Sequence, residues 1–99
     1  MSEMNTKLLQ IISYFGVNNQ QRKIQEELFE LQESIIELET SKIRDYEEKL
    51  KHVIEEIADV EVLLREFILE YRISYEDLIL TMKSKVDRTI KRIKEGYYE

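Results

Sequence analysis

With no proline and only two glycines, Gly16 and Gly96, in 99 residues, this chain has almost no means of making tight turns. Hairpin turns depend on residues that take positive φ or interrupt a ladder. A sequence without them is confined to long helices separated by short breaks. The expected fold class is therefore all-α: a short N-terminal helix plus three long helices forming a bundle, in a single domain spanning residues 1–99.

Hydrophobic periodicity places the helices. Residues 5–15 carry Leu8, Leu9, Ile12 and Phe15 on one stripe, and Gly16 stands where that helix would stop. Val17-Asn18-Asn19 reads as the connection. From about Asn19 to Glu39, the residues Ile24, Leu28, Leu31, Ile35 and Leu38 recur at three- and four-residue steps, the core stripe of an amphipathic helix. A third helix is expected from Asp45 to Tyr71, with Asp45-x-x-Glu48 as its capping signal and Leu50, Ile54, Ile57, Glu61, Leu64, Ile68 and Tyr71 as its stripe. Ser74-x-x-Asp77 marks the start of a fourth, in which Leu78, Met82, Val86, Ile90 and Ile93 are expected to face inward. Phe29 and Ile36 lie about 130° from the second helix's stripe, at about 100° per residue. With Ala58 and Val62 on the third helix they form further apolar surface, which points to oligomerisation.

Charge excludes some functions. A net charge of −6 and a pI near 4.9 do not suit a nucleic-acid partner, which needs a basic face to neutralise phosphates. The absence of cysteine excludes disulfides and thiolate metal sites. No apolar run is long enough to span a bilayer, and the first residues lack the basic and apolar regions of a signal peptide. The expected location is the cytoplasm. Acids concentrate in residues 26–70, whereas Lys83, Lys85, Arg88, Lys91, Arg92 and Lys94 make the last helix basic despite Asp87.

Two acidic clusters are placed to meet. Glu26-Glu27-Leu28-Phe29-Glu30 and Glu55-Glu56-Ile57-Ala58-Asp59 each contain an i, i+3 carboxylate pair, Glu27/Glu30 and Glu56/Asp59, on one helix face. Their midpoint is residue 43, inside the expected break Thr40-Ser41-Lys42-Ile43-Arg44-Asp45. An antiparallel hairpin turning there sets both pairs at the same height, roughly 20 Å from the turn at about 1.5 Å per residue. Glu27 falls about 60° and Glu56 about 100° from the centre of its stripe, so the pairs border the apolar seam (about 100° per residue). Facing like charges repel, and a bound divalent cation would remove that cost.

Hard oxygen donors select Mg²⁺, Mn²⁺ or Ca²⁺ over zinc, and Mg²⁺ in such sites is typically completed by water and substrate phosphates. Activated water then serves in hydrolysis without a serine, cysteine or histidine nucleophile. Lys85, Arg88 and Arg92, at i, i+3, i+7 on the fourth helix, are candidates for holding triphosphate oxygens. His52, one turn before Glu56, is read as an ordinary surface histidine outside the mechanism.

These motifs resemble the signature of the all-α nucleoside triphosphate pyrophosphohydrolases of the MazG-like superfamily. The resemblance runs through Tyr14-Phe15-Gly16-Val17-Asn18-Asn19-Gln20, Lys23-Ile24-Gln25-Glu26-Glu27-Leu28, Glu55-Glu56-Ile57-Ala58-Asp59-Val60 and Arg92-Ile93-Lys94-Glu95-Gly96-Tyr97-Tyr98. It implies Mg²⁺-dependent cleavage of a nucleoside triphosphate between the α and β phosphates, giving monophosphate and pyrophosphate. It further implies Glu27, Glu30, Glu56 and Asp59 as metal ligands, Glu26 as an additional acid that either supports the ligands from outside or helps orient water, and a homodimer or homotetramer with sites built partly across subunits. Asp87 departs from the family, standing near the position where many members have asparagine, so the resemblance leaves the substrate open.

Two alternatives remain. One is the related phosphoribosyl-ATP pyrophosphohydrolase, although Asp59-Val60-Glu61-Val62 lacks the aromatic-histidine ending expected of it. The other is a non-enzymatic helical interaction or antitoxin-type module, for which the facing carboxylates would be accidental.

Overall fold

A computed structural model describes residues 2–99 and contains four α-helices: α1 (Glu3–Phe15), α2 (Val17–Glu39), α3 (Tyr46–Glu70) and α4 (Tyr75–Lys94). A 3₁₀ turn at Ile43–Asp45 precedes α3, and the described residues include no strand. None of these helices is long and apolar enough to cross a membrane.

The helix ends follow local chemistry. Ser2 caps α1 by accepting from the Asn5 N–H at 3.0 Å, and Ser74 caps α4 by accepting from the Asp77 N–H at 3.2 Å, as the Ser74-x-x-Asp77 motif leads one to expect. Asp45 makes no such side-chain cap, because the 3₁₀ turn closes the approach to α3 with backbone hydrogen bonds instead. The expected connection Val17-Asn18-Asn19 is itself helical: α2 begins at Val17, and Gly16 alone joins it to α1. At φ 88° and ψ 149° Gly16 occupies a region that side chains exclude, so one residue suffices to redirect the chain. The end of α3 has the bond pattern of a Schellman turn, Ile73 N–H to Ile68 C=O at 2.9 Å and Arg72 N–H to Leu69 C=O at 3.2 Å, with Arg72 rather than glycine at φ 51°.

Removing the α4 cap is expected to have a local effect. Ser74→Ala should cost about 1 kcal/mol, read as faster amide exchange in the first turn of α4. Unchanged exchange there would mean that the hydroxyl does not hold the helix start.

The hairpin of α2 and α3 is the centre of the molecule, and α1 packs across both. Leu8 and Ile12 of α1 and Val53, Val60 and Leu63 of α3 form the small buried core. The inward face of α3 carries Val53, Glu56, Val60, Leu63 and Glu66, not the stripe expected from periodicity. Ile54, Ile57 and Leu64 of that stripe are exposed at 58%, 45% and 39%. On α2, Glu27 and Ser34 are buried whereas Leu28 and Ile35 are exposed. The reason is that both inward faces contain polar side chains, which dilute their hydrophobic signal. The more uniformly apolar faces point out of the chain.

The fourth helix stands apart from the bundle that α1, α2 and α3 form. It packs against none of the other helices, and Met82, Val86, Ile90 and Ile93, expected to face inward, are exposed. The radius of gyration is 17.4 Å, compared with about 13 Å for a compact chain of about 100 residues.

Candidate metal centre

The α2–α3 hairpin turns where the motif spacing placed it, and the acids meet along the seam. One carboxylate oxygen from each of Glu27, Glu30 and Glu56 lies within 4.8 Å of the others. Glu27 and Glu56 are 6% and 9% exposed, so they lie inside the seam rather than at its border, while Glu30 is exposed. Asp59 does not belong to this triad. It is exposed and lines a neighbouring groove of about 660 Å³ with Glu26, Glu27, Arg22, Lys23 and Glu66, against an apolar wall of Ile11, Phe15, Val62 and Leu63.

The buried carboxylates are only half satisfied. Glu27 Oε1 is 3.1 Å from Lys23 Nζ, and Glu56 Oε1 is 3.2 Å from His52 Nε2. The second oxygen of each, Oε2, is buried with no hydrogen-bond partner. An unpaired buried acceptor on a charged group costs more than the 1–3 kcal/mol typical of neutral groups. Two of them in one cluster form a group that could hold a cation.

Size and donor chemistry agree with this. Oxygens on opposite sides of a Mg²⁺ ion are separated by about 4.2 Å, given ligand distances near 2.1 Å. A triad within 4.8 Å therefore needs only a small side-chain adjustment to close on it. All three donors are hard oxygens, which suit Mg²⁺ and Mn²⁺ better than softer ions.

The cluster's electrostatics show how it is accommodated without a metal. Burial pushes the Glu27 carboxyl up, but hydrogen bonds from Lys23 and Glu30 and the charge of Lys23 outweigh it, so Glu27 titrates below its usual range. Glu30 is held above its usual 4.5, first by the hydrogen bond the two carboxyls share once one of them is protonated and second by the Glu27 charge it faces. Lys23 is correspondingly raised by its bond to Glu27. The Lys23 ammonium thus supplies part of a cation's charge.

Any cation binding at this triad would then depend on pH. A carboxyl with a raised pKa keeps its proton to higher pH, so binding a cation displaces a proton across that interval. Apparent Mn²⁺ affinity, measured by titration calorimetry, is expected to fall as pH drops from neutrality through the raised titration range of Glu30, with proton release revealed by buffers of different ionisation enthalpy. Glu30→Gln should remove most of that dependence. A pH-independent affinity would exclude Glu30 as a ligand.

Lys85, Arg88 and Arg92 are not brought to the triad within one chain, since α4 contacts neither α2 nor α3. The Arg92 guanidinium instead lies 4.9 Å above the Tyr97 ring. The side chains that do reach the buried carboxylates are Lys23 and His52; His52 is exposed, and its Nε2 nevertheless touches Glu56. Both are four residues before the glutamate they contact, a spacing visible in the sequence. Glu66 is a further buried acid that sequence reasoning missed; its Oε1 accepts from Gln20 Nε2 at 2.7 Å, which satisfies it locally. In comparisons with known proteins, no family model, curated protein or solved structure matches this chain.

Proposed function

We propose that this chain is a nucleoside triphosphate pyrophosphohydrolase of the MazG-like type, cleaving (d)NTPs between the α and β phosphates into monophosphate and pyrophosphate. The observation that carries the reading is the pair of buried, unpartnered Oε2 atoms of Glu27 and Glu56 within a three-carboxylate cluster. Glu27, Glu30 and Glu56 would hold Mg²⁺, or Mn²⁺, with Asp59 joining from the groove side. Such an ion supplies a Lewis acid for phosphoryl oxygens and lowers the pKa of its water.

The chain's own residues would divide the remaining work. Glu26 and Asp59, on the groove, are carboxylates able to orient a water or accept its proton. Arg22 and Lys23 beside them offer cationic contacts to phosphate oxygens. The apolar wall around Phe15 and Val62 is suited to the uncharged part of a nucleotide.

Assembly belongs to the same proposal. The exposed apolar faces of α3 and α4 support a homodimer or homotetramer, in which Lys85, Arg88 and Arg92 from one copy could serve the acidic cluster of another. Those same faces favour the second reading, a helical interaction module.

Product analysis decides between them. Purified protein incubated with Mg²⁺ and a panel of canonical, deoxy and modified NTPs should yield monophosphate and pyrophosphate, and chelation by EDTA should stop the reaction. Orthophosphate as the only phosphorus product would overturn cleavage between α and β. Absence of turnover on this panel and on phosphoribosyl-ATP would leave the interaction module as the better account.

A further inference from the structure

The two buried glutamates of the triad share one arrangement: a single oxygen tethered by a side chain one helical turn earlier, and the other oxygen left bare. For Glu56 the tether is His52, whose Nε2 lies 3.2 Å from Oε1 while Oε2 is buried without a partner. We propose that His52 is a positioning residue for the metal centre, donating from Nε2 to Glu56 Oε1 so that Oε2 is presented to a divalent cation. This rests on the metal-site reading of the triad.

The argument is geometric. A carboxylate has two equivalent oxygens and a freely rotating terminal torsion, broad and two-fold. Without a tether, Glu56 would spread over orientations in which neither oxygen points at Glu27 and Glu30. A donor on Oε1 removes that freedom before the metal arrives, and outer partners of this kind typically contribute tenfold to a hundredfold in metal affinity. The neutral Nε2–H tautomer and the imidazolium both donate from this atom, so the role does not depend on charge. On its other side, His52 Nδ1 is 3.9 Å from Glu37 Oε2, and Lys49 Nζ is 3.7 Å from the same oxygen. Glu37 of α2 thus stands beside the ring across the hairpin, beyond hydrogen-bond distance.

The role makes a prediction opposite in sign to simple electrostatics. If His52 acted only as a nearby cation, removing it would tighten the binding of a divalent ion. If it positions Glu56, removing it weakens binding. Lys23 does not separate these effects, because its ammonium is a standing charge shared between Glu27 at 3.1 Å and Glu26 at 3.8 Å.

The test uses Mn²⁺ alone, followed by electron paramagnetic resonance and calorimetry on the wild type, His52→Ala, His52→Gln and Glu56→Gln, with far-ultraviolet circular dichroism as the folding control. Glutamine places an amide nitrogen close to the position of imidazole Nε2. The expected result is about tenfold weaker Mn²⁺ binding in His52→Ala, recovery towards wild type in His52→Gln, and little binding in Glu56→Gln. Unchanged or tighter binding in His52→Ala, or failure of His52→Gln to recover it, overturns the positioning role while leaving the metal site intact. If the wild type binds no Mn²⁺, the metal reading falls, and this inference with it.

Discussion

Glu56→Gln is expected to abolish metal-dependent hydrolysis while leaving the metal-free fold at least as stable as the wild type. Outer partners of metal ligands already contribute up to about a hundredfold. Loss of a buried inner ligand should therefore reduce turnover by at least that factor. Stability should move the other way. Glu56 is 9% exposed and its Oε2 has no partner, so the carboxylate is costly to keep without a metal. The amide has the same shape without the charge, and relief of about 1 kcal/mol would raise the melting temperature by about 4–8 °C in a domain of this size. Steady-state assays and thermal melts with and without Mg²⁺ check both parts. Retained activity would remove Glu56 from the site, and a marked loss of stability in the metal-free protein would mean that its charge is well satisfied by His52 alone.

Replacing Val86 and Ile90 together by aspartate is expected to convert an oligomer into single chains of 12.0 kDa. The two side chains are 60% and 47% exposed on a helix that touches no other helix of its own chain. A 20-residue helix alone in water is marginal, and most helical stability in proteins comes from packing an apolar face. A second copy is the partner that an isologous contact would supply. Burying each side chain is worth about 1.5–3 kcal/mol. The double variant should therefore lose about 3–6 kcal/mol per protomer, a hundredfold or more in dissociation constant. Light scattering and sedimentation read the mass, and circular dichroism should show loss of helix as α4 frays. A wild type that is monomeric at tens of micromolar with α4 fully helical would refute self-association through this face.

The elements themselves were largely legible. Proline-free, glycine-poor sequence left helices as the only regular structure, Gly16 and Ser74 marked two of the boundaries, and the spacing of the Glu27/Glu30 and Glu56/Asp59 pairs about residue 43 was enough to bring the two acidic clusters together. The errors lay in which face of each helix turns inward. Periodicity favoured Ile54, Ile57 and Leu64 on α3, yet the chain buries the face carrying Val53, Glu56, Val60, Leu63 and Glu66. Periodicity measures how apolar a face is, not what it packs against. A face with two buried glutamates therefore scores below one that stays exposed in the single chain.

The candidate site shows the same division. Sequence alone determined that two acidic pairs would lie at one level of a helical hairpin, because helix rise and turn position are local properties. Only the tertiary structure decided that Glu30 joins Glu27 and Glu56 while Asp59 turns towards the groove, and that Lys23 and His52 each take one oxygen and leave the other bare. Those outcomes depend on the rotation of α2 and α3 about their own axes. That rotation is settled by how Leu8 and Ile12 of α1 pack with Val53, Val60 and Leu63 of α3 while α2 lies against both helices, an arrangement no single helix encodes.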